Sequence, residues 1–137
     1  MAYSTDVTLV ASTTSTANVT ASTGDSVTVD TYRRGSFVLT ATVNSGSPTL
    51  DVAIQAYIGS TWTDIARFAQ VTATSTRFLW DVGGTVGTSS TIEEAQQTLG
   101  ITVSTKRAGP WGTAIRAIYT IASAGSITWS VKGTVQS

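Results

Sequence analysis

From Leu50 to Ile58 the chain alternates without a break. Leu50, Val52, Ile54, Ala56 and Ile58 fall on one side, and Asp51, Ala53, Gln55 and Tyr57 on the other. A period of two over this length predicts a strand with one buried face and one wetter face. Gly59-Ser60 then predicts a tight reversal, because glycine reaches positive φ without a Cβ clash. Beyond it, Trp62, Ile65 and Phe68 stand three apart, a spacing that a flat strand cannot place on one face. A bulge in this strand would reconcile them.

The same alternation recurs along the chain. In Ser36–Asn44, Phe37, Leu39, Ala41 and Val43 oppose Val38, Thr40 and Thr42. In Thr74–Val82, Phe78, Trp80 and Val82 oppose Arg77, Leu79 and Asp81, and Trp80 and Trp129 are expected in the core. Shorter strands are predicted at Val7–Ala11, weakly around Val19, and at Ser26–Thr31. Ala114–Ile121 and Ile127–Val135 flank the turn "ASAGS" and read as a hairpin. One-faced sheets must cover their apolar sides with one another. The fold expected is therefore all-β, an antiparallel, jelly-roll-like β-sandwich forming one domain over residues 1–137.

One stretch breaks the rhythm. "GGTVGTSSTIEEAQQTLG" holds Ser90 and Glu93 at capping-box spacing and Gly100 at a C-cap position, which predicts a short helix over Thr91–Leu99. Ile92 and Leu99, seven apart, share its apolar side, and two turns need a covering partner to persist. The helix-bearing insert, about 83–112, is longer than a hairpin requires, and long connections are often binding elements.

Composition narrows the chemistry. Charged residues are 12% of the 137, roughly half the usual share, and eight basic residues balance eight acidic ones. No basic face is available for nucleic acid, and no polybasic or long apolar run for a membrane. Near-zero charge on a Ser/Thr surface lowers the barrier to self-association. Neither Cys nor His is present, which excludes thiolate chemistry, zinc sites of those ligands and the usual catalytic triads. The acids show no spacing that picks out a catalytic pair, and no Asp/Asn-dense loop of the calcium type occurs. The glycines at Gly83–Gly87 lack the Lys-Ser/Thr of a phosphate loop. No enzyme activity and no cofactor are expected. The start "MAYSTDV" has no signal-peptide pattern.

Interaction candidates remain. Trp111 in "AGPWGT" is an aromatic in a Gly/Pro loop, the kind of anchor that dominates interfaces. Arg33-Arg34 and Lys106-Arg107 are small basic pairs suited to an acidic patch on a partner. With Ile92 and Leu99 they make up the expected contact surface. Trp62, beside a turn, could stack on a sugar or plug the end of the sandwich.

The run "FVLTATVNSGSPTLDVAIQAYIGSTWTDIARFAQVTATSTRFLW", followed by "AIRAIYTIASAGSITWSVKG", resembles a β-sandwich family of structural proteins from tailed bacteriophages and prophages. The likeness lies in the Ser-Pro-Thr-Leu-Asp-Val turn and strand at Ser47–Val52 and in Trp62–Phe68. It extends to the closing Tyr119–Ser126 segment. The chain departs from that pattern between Val82 and Gly112, and in "IRAIYTI", where Arg116 and Tyr119 stand in altered register. The resemblance implies a virion protein, made in the host bacterial cytoplasm, with capsid decoration (cement) as the favoured role. Its partners would be the major capsid protein of the head and copies of itself, as a trimer or another ring. The alternative is a carbohydrate-binding or adhesion module of a tail, neck or fibre.

Overall fold

The computed structural model describes residues 4–29, 32–83 and 112–137. Nine strands are present among them: β1 Ser4–Ser15, β2 Val19–Thr23, β3 Val27–Thr28, β4 Arg34–Gly46, β5 Thr49–Ile58, β6 Thr61–Arg67, β7 Ser75–Val82, β8 Ala114–Ala122 and β9 Gly125–Gln136. Every pairing between them is antiparallel. The first sheet runs β1-β9-β4-β7; the second runs β2-β8-β5-β6, with β3 also on β8. The chain therefore crosses repeatedly from one sheet to the other, and this winding is a jelly roll. The all-β sandwich read from the alternation is what forms. The helix expected at Thr91–Leu99 lies outside the described residues.

The inner faces supply one core. Phe37, Leu39, Trp129 and Val131 come from the first sheet, and Leu50, Ile54, Ile115 and Ile121 from the second, all essentially without exposure. Tyr119 of β8 meets Trp129 of β9 edge-on across the layer, ring centroids 4.6 Å apart. Trp129 is thus in the core, as its place in the alternation predicts. The side chain of Trp80 is outside the description.

Three expectations are refined. The predicted hairpin of Ala114–Ile121 with Ile127–Val135 does not form, because β8 belongs to the second sheet and β9 to the first. A short Gly/Ser turn can join neighbours or step between layers, and here both sides of β8 and β9 are taken by other strands. The bulge called for by Trp62, Ile65 and Phe68 falls at Ile65, between the pairs Ile54↔Ala66 and Gln55↔Asp64. It sends Ile65, Ala66 and Phe68 into the core while Trp62 stays outside, so the three do not share a face. In β7, Leu79 and Val82 are buried and Phe78 points outward. A register shift between Gly35↔Val82 and Phe37↔Leu79 breaks the phase that would have put Phe78 with Val82.

The Gly59-Ser60 reversal forms as expected, with φ of 56° and 69°, the two positive values of a tight hairpin turn. Two of the inter-sheet corners, β4 to β5 and β8 to β9, lie side by side: Gly46 pairs with Gly125, and Ser47 N–H donates to the Ala124 carbonyl at 3.1 Å. A Cβ on Gly46, whose φ is +69°, would stand 1.8 Å from the Ala124 carbonyl oxygen; one on Gly59 would meet nothing within 4 Å. The two glycines thus separate backbone strain from steric overlap. Gly59→Ala should cost about 1 kcal/mol, the left-handed strain alone, and Gly46→Ala at least about 3 kcal/mol. Denaturant midpoints of the two variants check this, and equal losses would contradict it.

Candidate functional site

The outward side of the second sheet is not a wet face. Along β5 the outward residues are Asp51, Ala53, Gln55 and Tyr57, and Ala53 and Gln55 are fully buried. Asp64, opposite Gln55 on β6, is also at 0% exposure. A buried carboxylate and amide are tolerable only when hydrogen-bonded. Gln55 Nε2 donates to Asp64 Oδ1 at 2.9 Å, and Arg116 Nε of β8 donates to Gln55 Oε1 at 2.9 Å. The Arg116 guanidinium lies over the Trp62 ring, 4.1 Å from its centroid, and Tyr57 tilts against the same ring at 5.0 Å. Burial lowers the pKa of Arg116 from its ordinary value. Further along the face, Arg67 Nη2 pairs with Asp51 Oδ1 at 2.9 Å and Gln70 Nε2 reaches Asp51 Oδ2 at 2.8 Å.

This arrangement binds its own groups to one another. Asp51 and Asp64 have separate partners, and they stand about four strand residues apart, roughly 13 Å, wider than a glycosidase pair. Trp62, the sugar-stacking candidate, has one ring face taken by Arg116. No group of three or more potential metal ligands occurs among the described residues, and no described helix is long and apolar enough to cross a membrane.

The outer side of the first sheet is different. Cross-strand rows of hydroxyls run over it: Thr76, Thr40 and Ser130 in one, Thr42, Thr128 and Thr14 in the next. Thr14 and Thr128 share a hydrogen bond of 2.8 Å, and Asn44 Nδ2 donates to Thr128 at 2.9 Å. A third row, Phe78, Val38, Lys132 and Thr8, crosses all four strands. It forms the floor of a groove of about 360 Å³, with Asp6 and Thr134 beside it. Phe78 is 54% exposed there, Lys132 is exposed, and Asp6 accepts a 2.8 Å hydrogen bond from Thr134.

Of the residues singled out from sequence, Trp111, Leu99, Ile92, Lys106 and Arg107 lie outside the described residues. Arg33 and Arg34 are exposed where β4 begins, next to the end of β9, with Arg33 N–H donating to the Gln136 carbonyl at 2.8 Å. The groove was not anticipated, since its floor draws single residues from four strands. The signal for the buried network was present in Gln55, a polar residue amid an apolar alternation.

No protein-family model and no curated protein matches the chain, so the likeness to the phage family rests on the quoted segments. Among solved structures, one of infectious bursal disease virus, Gx strain, is similar over 99% of this chain and 31% of its own, with 14% identity and a TM-score of 0.48. The SPBc2 prophage-derived protein YomS is similar over 100% of this chain and 96% of its own, at 15% identity and 0.46. The VP2 subviral particle of infectious bursal disease virus gives 98% and 32%, 16% identity and 0.43. The chain spans about a third of the viral chains and nearly all of YomS.

The buried network yields its own expectation. Gln55→Leu keeps the volume but strips a bond from both Asp64 and Arg116, and should cost about 3 kcal/mol. Chemical denaturation reads the loss, and Trp62 emission should change as the guanidinium above it is released. An unchanged midpoint would show that the network contributes nothing.

Proposed function

We propose that the chain is a structural protein of a tailed-phage virion and, within it, a decoration (cement) protein seated on the outside of the head. The observation that carries this reading is the outer side of the first sheet: four strands wide, rich in hydroxyls, with an apolar groove across it. Such a surface binds by shape and hydrogen bonding, as a part repeated many times over a protein shell must. The segments resembling the phage family support the same role. So does the balance of eight basic and eight acidic residues, which favours a protein partner over nucleic acid. Jelly rolls serve in viral capsid and lectin domains alike, so the fold by itself distinguishes neither. The major capsid protein is the proposed partner, and the role requires no catalysis or cofactor. An adhesion module of a tail, neck or fibre would want an open aromatic platform, and Arg116 over Trp62 speaks against one there.

The test is add-back. Heads purified from phage lacking this gene should bind the purified protein to saturation, at a fixed number of copies per capsid protein, and lose their DNA at a higher temperature afterwards. No binding to heads, with the protein recovered in tails, would overturn the reading in favour of the adhesion module. A second expectation concerns the connection before β8. Replacing Trp111 with Ala and Leu99 with Ser should weaken head binding by about 2–4 kcal/mol, the size of an interface anchor, and leave the melting of the free protein unchanged. Full occupancy by the double variant would remove these residues from the contact.

A further inference from the structure

Among the described residues the first sheet ends in β1 and β7, and the second in β2 and β6, with the two-residue β3 beside β2. An edge strand carries a row of unpaired backbone N–H and C=O groups, a template on which another chain can add a strand. Three of these four edges are broken by irregular register. The β1 ladder shifts between Thr8 and Val10 and again before Thr13, β2 shifts between Val19 and Ser22, and β6 shifts at Ile65. Each break bends and twists the strand away from a flat partner. β7 differs. Ser75–Leu79 pairs residue for residue with β4, and the shift in its ladder lies beyond Leu79.

That regular run holds an arginine that faces inward. Arg77 stands opposite Leu39, which has no exposure, so its side chain starts on the inner side of the sheet. Ser75 and Leu79, in the same phase, lie opposite the buried Ala41 and Phe37. The guanidinium is poorly satisfied there. Its Nη2 reaches the Gln70 carbonyl at a long 3.4 Å, and its Nε is buried with no hydrogen-bond partner. An apolar residue would suit the packing better at this position. We propose that Arg77 serves exclusion: it bars a second copy of this chain from adding its own edge strand to β7. A strand added there would extend the sheet past Arg77 and cut the half-buried charge off from the water it still reaches. Eight basic and eight acidic residues leave no net charge to hold copies apart, so an edge this regular needs a local barrier. Arg77 acts in this way whatever place the protein takes in a virion.

The test compares full-length Arg77→Val and Arg77→Thr, both neutral and strand-forming, with Arg77→Lys, which keeps the charge but not the guanidinium fork. Sedimentation follows mass against concentration. The two neutral variants should associate beyond the unmodified chain's own state at a concentration at least about tenfold lower, and Arg77→Lys should match the unmodified chain. Melting of the dilute variants should show the sandwich intact. In the associated form, amide hydrogen exchange should slow in Ser75–Leu79, the run that acquires a partner strand. Neutral variants no more associated than the unmodified chain would overturn the proposal. So would Arg77→Lys associating as readily as Arg77→Val, since the lost bond to Gln70 and not the charge would then be responsible. Association that leaves exchange in Ser75–Leu79 unchanged would place the new contact elsewhere and contradict it. Loss of the fold in both neutral variants would contradict it as well, by assigning the arginine to folding.

Discussion

Everything in this fold follows from the layer of side chains between the two sheets. Each sheet is apolar on one side, and the chain fills the layer by crossing between sheets rather than by completing one and then the other. Such a layer fixes which way every strand faces, because a slip of one residue would exchange the inner set for the outer. It also requires sharp corners, and the paired backbones at Gly46 and Gly125 show how closely two of them pack. Where a strand must change phase, a bulge does it: at Ile65, and again between Leu79 and Val82.

Those phase changes create both surfaces of interest. The bulge at Ile65 leaves Trp62 and Asp64 on the outward side, where Arg116 and Gln55 meet them. Buried polar groups gain little net stability when paired and cost much when orphaned. The network therefore acts more as a register lock for β5, β6 and β8 than as a large source of stability. The shift in β7 leaves Phe78 outside, and so builds the groove. One sheet turns its outer side into a closed, self-satisfied surface; the other presents hydroxyls, an apolar floor and an exposed lysine.

Much of this was legible in the residues. The β5–β6 hairpin was, because period-two alternation and a Gly-Ser turn are both local signals. Trp129 in the core and the sandwich class followed from the same alternation. The pairing of β8 and β9 was not, since "ASAGS" carries no information about whether its flanks are neighbours or lie in opposite layers. Nor was the outward turn of Phe78, which depends on a bulge with no sequence mark. The Asp64–Gln55–Arg116 chain joins residues 9 and 61 positions apart, so it depends on strand register that no single segment specifies. Ile92, Leu99, Lys106, Arg107 and Trp111 owe their candidacy to residue type and to the length of the connection that carries them, and they lie outside the described residues.

The role proposed for this sandwich is that of a passive block on the outside of a phage head. Averaged electron images of intact virions, compared with virions lacking the gene, test it most directly. The account predicts density of about the size of this sandwich at a repeated position on the outer shell, lost in the deletion and restored by the purified protein. Difference density confined to the tail or neck, with an unaltered head surface, would contradict it.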